Sequence, residues 1–180
     1  MKITSPLRPE VIEELAVGTS VLISGVLYTA RDAAHQRIVE ALDSGKELPF
    51  ELKGQTIYYT GPSPAPPGRV IGAAGPTTSR RMDGYTPRLL AAGVKALIGK
   101  GERSDEVRQA LQKYKAVYLA TTGGAGALLA KCVRRIKTVA YEDLGPEAIM
   151  RLEVENFPAV VANDIHGGDL AEMGREKYKK

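Results

Sequence analysis

The chain has 180 residues, 43% of them apolar and 26% charged, with a formal net charge of +4 and a pI near 9.1. That is room for one domain with a core of its own, and no apolar run reaches the roughly 18 residues of a membrane helix. The single cysteine, Cys132, excludes a disulfide framework, a cysteine-ligated zinc site and an iron–sulfur cluster held by this chain alone.

No secretory signal pattern opens the sequence, so a cytoplasmic location is expected. The surplus of Lys and Arg is scattered, apart from clusters at 131–137 and 175–180, and neither cluster interleaves aromatics as a single-strand binder would. A site for small acids explains the charge without nucleic acid.

Residues 1–16 are a lead-in in which Pro6 and Pro9 prevent a long helix. The β-branched run from Val17 to Tyr28, interrupted by Gly18 and Gly25, predicts a strand pair or one bent strand. A helix to about Ser44 follows, with the stripe Ala34, Ile38, Ala41 and Leu42. Arg31 and His35 stand four apart at its start and share a face. A surface arginine with a histidine satisfied by Asp32 explains that pair equally well.

Residues 56–59 predict a short strand, and 60–68, with four of the eleven prolines, an irregular loop. A brief strand at Val70-Ile71 is expected before Gly72–Asp83, reading GAAGPTTSRRMD. Small residues there (Gly75 among them), Pro76, the hydroxyls of Thr77 and Thr78, and the guanidiniums of Arg80 and Arg81 together suit a carboxylate. The plain alternative is a Gly-Pro turn beside a solvated basic pair.

A helix from Met82 to Ala92 is expected next, then a strand at Ala96–Ile98 and an exposed Lys100 between two glycines. Ser104 caps a helix whose buried stripe is Val107, Ala110, Leu111 and Tyr114. A strand at 116–120 runs into the glycine-rich 121–126 and a helix at 127–132. Neither this loop nor Gly93–Lys100 has the spacing of a nucleotide fingerprint. Further strands are expected at 137–141, 152–154 and 157–164, with a turn or short helix at 146–150 and a frayed tail over 171–180. Strand-heavy at first and alternating later, the pattern predicts one α/β domain over 1–180 with a mixed sheet.

GPTTSRRMD resembles the signature of the C-terminal, or β, part of class I fumarate hydratases and the related tartrate dehydratases. YTARDAAHQRI (28–38), YTGPSPAPPG (59–68), ATTGGAGALLAKCV (120–133), YEDLGPEAI (141–149) and FPAVVAND (157–164) resemble further blocks of that family, in its order. The resemblance implies a swivelling β/β/α domain and reversible hydration of fumarate to L-malate. It implies an oxygen-sensitive [4Fe-4S] cluster held by three cysteines of the other, α, part. With one cysteine, this chain is expected to be the β subunit of a two-chain hydro-lyase, inactive alone and paired with an α subunit, as a heterotetramer with no nucleic acid or membrane partner.

By the same resemblance Arg31, Arg81 and Lys100 grip the substrate carboxylates, and Thr77 is the candidate base for the C3 proton of malate. Gly75, Pro76, Thr78, Asp83 and His35 support them. Asp83 is expected on the motif's own backbone or on Arg81, and His35 beside Arg31 or in a subunit interface. No metal ligand is expected in this chain. Tartrate or a methylated analogue as substrate, or a non-catalytic anion-binding domain of the same fold, are the alternatives.

Overall fold

The computed structural model describes residues 1–179. The lead-in is more ordered than its prolines suggest: strand β1 (Lys2–Ser5) is followed by helix α1 (Pro9–Glu14), which begins on Pro9, where no amide hydrogen is needed. β2 (Ser20–Thr29) is a single bent strand. It bends at Gly25, where φ is +105° and a Cβ would collide with the Ser5 carbonyl of β1.

Helix α2 (Asp32–Asp43) buries Ala34, His35 and Ile38, and β3 (Thr56–Tyr58) is buried throughout. Val70 and Ile71 form no strand; they belong to the irregular segment between β3 and residue 78. The helix expected from Met82 is broken in two, a 3-10 turn at Ser79–Met82 and helix α3 (Thr86–Ala91). Pro87 is the reason: deep inside one helix its ring would strike the carbonyl of Asp83, whereas in the first turn of α3 it is tolerated.

β4 (Ala96–Gly99), α4 (Asp105–Lys113), β5 (Val117–Ala120) and α5 (Gly126–Lys131) follow as the periodicity predicts. After β6 (Val133–Ala140) and a 3-10 stretch at Glu142–Glu147, one long strand, β7 (Ile149–Asn163), replaces the two separate strands expected there. It kinks at Asn156, whose φ is 51°, and carries Pro158 in register with Leu22. Residues expected to fray form helix α6 (Leu170–Tyr178), capped by Asp169, whose carboxylate accepts from the amides of Ala171 and Glu172; Lys180 lies outside the described residues.

β2, β3, β4 and β5 are parallel neighbours, β7 is antiparallel to both β5 and β2, and the pairing therefore closes on itself, with β1 and β6 outside the ring. The sheet is mixed and the class α/β, as predicted.

The central parallel strands are buried on both faces, which is why they read as unbroken apolar runs. Tyr58, Ile98, Val117 and Leu119 face a core shared with Ile23, Leu27, Phe157 and Val161 of β2 and β7. Ile57, Tyr59, Leu97 and Tyr118 point the other way, onto Ile38 of α2, Leu89 of α3 and Leu111 of α4. Strands on one side and helices on the other make three layers. Among the described residues no helix is long and apolar enough to cross a membrane.

Candidate active site

The carboxyl ends of parallel strands deliver loops to one rim of a sheet, where α/β proteins bind ligands. Here β2 ends at Thr29 and delivers Arg31, β3 delivers residues 59–61, β4 delivers Lys100, and β5 delivers the glycine-rich 121–126.

The signature segment lies across these ends, held by its backbone. Tyr58 Oη donates to the Ala74 carbonyl (2.5 Å), Thr60 Oγ1 donates to the Gly75 carbonyl (2.7 Å), and the Ala74 amide donates to the Gly126 carbonyl (3.1 Å). The Thr77 amide donates to the Tyr59 carbonyl (2.7 Å), the Lys100 amide to the Thr77 carbonyl (3.3 Å), and the Ser79 amide to the Lys100 carbonyl (2.9 Å). Thr78 and Lys100 thus form a one-residue parallel bridge. Gly99 makes this approach possible, since a Cβ there would stand well inside 3.0 Å of Ser79 Oγ. The Lys100 side chain runs over Gly123, where a Cβ would lie 3.6 Å from Nζ.

The two arginines meet at Asp32, which sequence reasoning did not place in the site. Arg81 Nε donates to Asp32 Oδ1 (3.0 Å), and Arg31 Nη2 lies 3.9 Å from Asp32 Oδ2. The Arg81 side chain remains 54% exposed, and no other carboxylate among the described residues pairs with it. Arg31 is 24% exposed and is held by Glu147 Oε1 at 3.2 Å. Glu147 Oε2 accepts from the Ala33 amide in the first turn of α2, so one carboxylate fixes both the helix start and the guanidinium. Glu147 belongs to the YEDLGPEAI block, but nothing local in the sequence links it to Arg31.

His35 is completely buried, which rules out a place on an interface surface. Its Nδ1 meets the Arg31 carbonyl at 2.8 Å, so Nδ1 carries the proton of the neutral ring and Nε2 is a buried acceptor with no partner. It is not satisfied by Asp32. Desolvation pushes its pKa down to about 4, outweighing the pull of the Arg31 carbonyl. Arg31 Nε and Asp32 Oδ2 are also buried and unpartnered, so three polar atoms are left unsatisfied at the start of α2.

Asp83 corrects the sequence expectation: it holds neither the motif's backbone nor Arg81. Its Oδ1 accepts from Arg103 Nε (2.8 Å) and its Oδ2 from the Ser104 amide (2.7 Å). The Arg103 side chain is 0% exposed, with its guanidinium 5.4 Å from the Tyr59 ring centre and 4.9 Å from that of Tyr118. Arg103 Nη2 donates to Thr86 Oγ1 (2.7 Å) and Nη1 to Tyr59 Oη (3.4 Å).

Proton directions in this network follow from its carbonyl acceptors. Thr86 donates to the Met82 carbonyl and Tyr118 to that of Gly101, so Ser79 Oγ must donate to Tyr118. Burial pushes the Tyr118 phenol up to about 12, which keeps the proton in place.

Thr77 is half-buried, and its hydroxyl has no hydrogen-bond partner among the described residues. Cys132 sits near the carbonyls of Leu128 and Asn156, with burial raising its thiol pKa. No group of three metal-ligating side chains occurs among the described residues. Two apolar grooves, of about 430 and 400 Å3, are lined by none of Arg31, Thr77, Arg81 or Lys100. The chemistry gathers instead on the rim at the strand ends, with Arg81 open to solvent.

The family described as Fumarase C-terminus matches residues 1–174. Fumarate hydratase 1, mitochondrial, of Leishmania major is 40% identical over 170 residues, which are 92% of this chain and 31% of that protein. The anaerobic class I fumarate hydratase of Escherichia coli is 40% identical over 164 residues, 90% of this chain and 30% of that one. The chain thus spans under a third of the length of these relatives. A protein of Methanocaldococcus jannaschii named "Putative L(+)-tartrate dehydratase subunit beta" is 40% identical over 176 residues, 94% of this chain and 90% of that protein.

Proposed function

This chain belongs to the fumarase C-terminus family, and on that premise we propose that it is the β component of a two-chain hydro-lyase that interconverts fumarate and L-malate. What supports the reading is the gathering of two arginines, a lysine and a free hydroxyl on one rim, three of them fixed by backbone or carboxylate partners.

In this reading Arg81 takes one substrate carboxylate. Asp32 occupies only its Nε, leaving the two terminal nitrogens available for a bidentate pair. Arg31, braced by Glu147, and Lys100, braced by the Thr78 bridge, neutralise the second carboxylate. Thr77 presents its hydroxyl to C3. In the dehydration direction the C3 proton leaves to a base, the C3–H electron pair becomes the C2=C3 double bond, and the C2 hydroxyl leaves as hydroxide, becoming water with a proton equivalent to the one removed. Among the described residues no side chain hydrogen-bonds the Thr77 hydroxyl to activate it for the first step, so its role as base requires a group supplied from the other side of the rim.

A [4Fe-4S] cluster needs several thiolates, and one half-buried cysteine near two carbonyls does not fit it. The cluster, when bound, supplies Lewis-acid chemistry, and in this proposal it is carried by an α partner facing the open rim.

Arg81→Ala in the assembled enzyme should abolish turnover while leaving the unfolding midpoint unchanged; a normal rate would remove the rim from consideration. L-tartrate is the second reading, favoured by near end-to-end coverage of the relative named as a tartrate dehydratase subunit. Anaerobic co-purification followed by assays with fumarate, tartrate and methylated analogues on one sample decides between them.

A further inference from the structure

We infer that Arg103 is a positioning residue for Lys100 and Thr77, fixing the turn after β4 in register with the signature segment. This rests on the hydro-lyase reading for its catalytic meaning, but the geometry stands by itself. Lys100 and Arg103 are three residues apart on the same turn, and only Arg103 is anchored in the core: its side chain is 0% exposed.

The guanidinium grips both sides of the contact that places Lys100. On one side it holds Asp83 and Thr86, which close the signature segment and open α3. On the other it lies on the Tyr118 ring, whose hydroxyl ties Ser79 to Gly101, one residue beyond Lys100. Between these two grips lies the bridge in which the Lys100 amide reaches Thr77 at 3.3 Å and the Ser79 amide reaches Lys100 at 2.9 Å.

A lysine could keep the charge opposite Asp83 but cannot also reach Thr86 and Tyr59, because it lacks the planar fork. Removing the charge altogether strands Asp83, which is 9% exposed, and would damage the fold for reasons unrelated to catalysis. The two effects are therefore separable by design.

The test uses the complete enzyme with three variants: Arg103→Lys, Arg103→Met, and Arg103→Met combined with Asp83→Asn. Arg103→Lys is expected to fold, to keep KM within about threefold and to lose about 100-fold in kcat, the scale of a sub-ångström to 1 Å misplacement. Arg103→Met is expected to lose stability, and the double variant to regain its unfolding midpoint without regaining kcat. Recovery of kcat together with stability, or a wild-type kcat in Arg103→Lys, would overturn the assignment.

A second readout does not depend on turnover. In the full chain, amide exchange at Ser79 and Lys100 should accelerate at least about tenfold in Arg103→Lys, while the amide of Val161, which lies two strands from β4 and donates to the Thr19 carbonyl at 2.9 Å, stays protected. Unchanged exchange at Ser79 and Lys100 overturns the proposal even if the wild-type enzyme hydrates no dicarboxylate. That last result would by itself remove only the hydro-lyase reading.

Discussion

Replacing His35 with Gln should flatten the acid side of this protein's stability curve. The imidazole is buried among Tyr59, Tyr85 and the Arg31 carbonyl, with Arg103 opposing its protonation and Asp32 favouring it. Its folded pKa is about 4 against 6.5 in the unfolded chain. At pH 7 both states are neutral. As pH falls through 6.5 the unfolded chain takes up a proton that the folded chain refuses, so stability declines; below about 4 both states are protonated and the loss levels off. At about 1.4 kcal/mol per tenfold difference in proton affinity, the full loss is about 3 kcal/mol, a large part of a domain's total.

Urea denaturation of wild type and His35→Gln at intervals from pH 7.5 to pH 3.5, on the order of half a unit apart, measures it. The carboxylates titrate in both proteins and cancel in the difference. The variant should be less stable at pH 7, because it disturbs the contact with the Arg31 carbonyl, but the gap should narrow by about 3 kcal/mol on acidification. Parallel curves would refute the argument, as would an NMR titration placing the His35 pKa near 6.5. The chain has only two histidines, so His166→Gln completes the assignment.

Two further substitutions probe the frame around the rim. Gly99→Ala drives a methyl into Ser79 Oγ and the Tyr59 ring, and should cost about 1–3 kcal/mol by urea denaturation; an unchanged midpoint would mean that the Ser79 turn is not locked against β4. Ser104→Ala removes the oxygen that accepts from the Val107 amide at 3.3 Å and should cost about 1 kcal/mol in the same assay, with the loss reproduced in the Asp83→Asn background because the Ser104 side chain and the Asp83 carboxylate serve different amides.

The sequence spoke most clearly where a local pattern has a local cause. The amphipathic stripe of α4 and its serine cap, the bent β2 with its internal glycine, and the buried β4 and β5 were legible because residue spacing alone sets them. β7 was harder: Pro158 and Asn156 argue for an interruption, and only pairing with β2 and β6 on both sides carries the strand through them. Pro9 limits the lead-in to a short helix, as expected, and also supplies its start.

Within the rim, the blocks GPTTSRRMD and TARD singled out the exposed Arg81 and the half-buried Arg31. Their braces escaped notice because each comes from far along the chain. Glu147 is 116 residues from Arg31, and Arg103 is 20 residues from Asp83. A charged pair of that kind has no periodicity and appears only once the strands are assembled.

The closed pairing has a consequence for how the chain must assemble. β2 and β5 both await β7, which begins at residue 149, so the ring cannot close until the last fifth of the chain is available. Until then Ile23, Leu27 and Leu119 lack the part of their core that Leu152, Phe157 and Val161 supply, and two strand edges stand open. Loop closure over that separation is slow compared with forming α2 or α4. During synthesis the nascent chain should therefore stay unprotected until β7 leaves the ribosome and then order in one late step. A break anywhere before residue 149 would leave a barrel without its final stave.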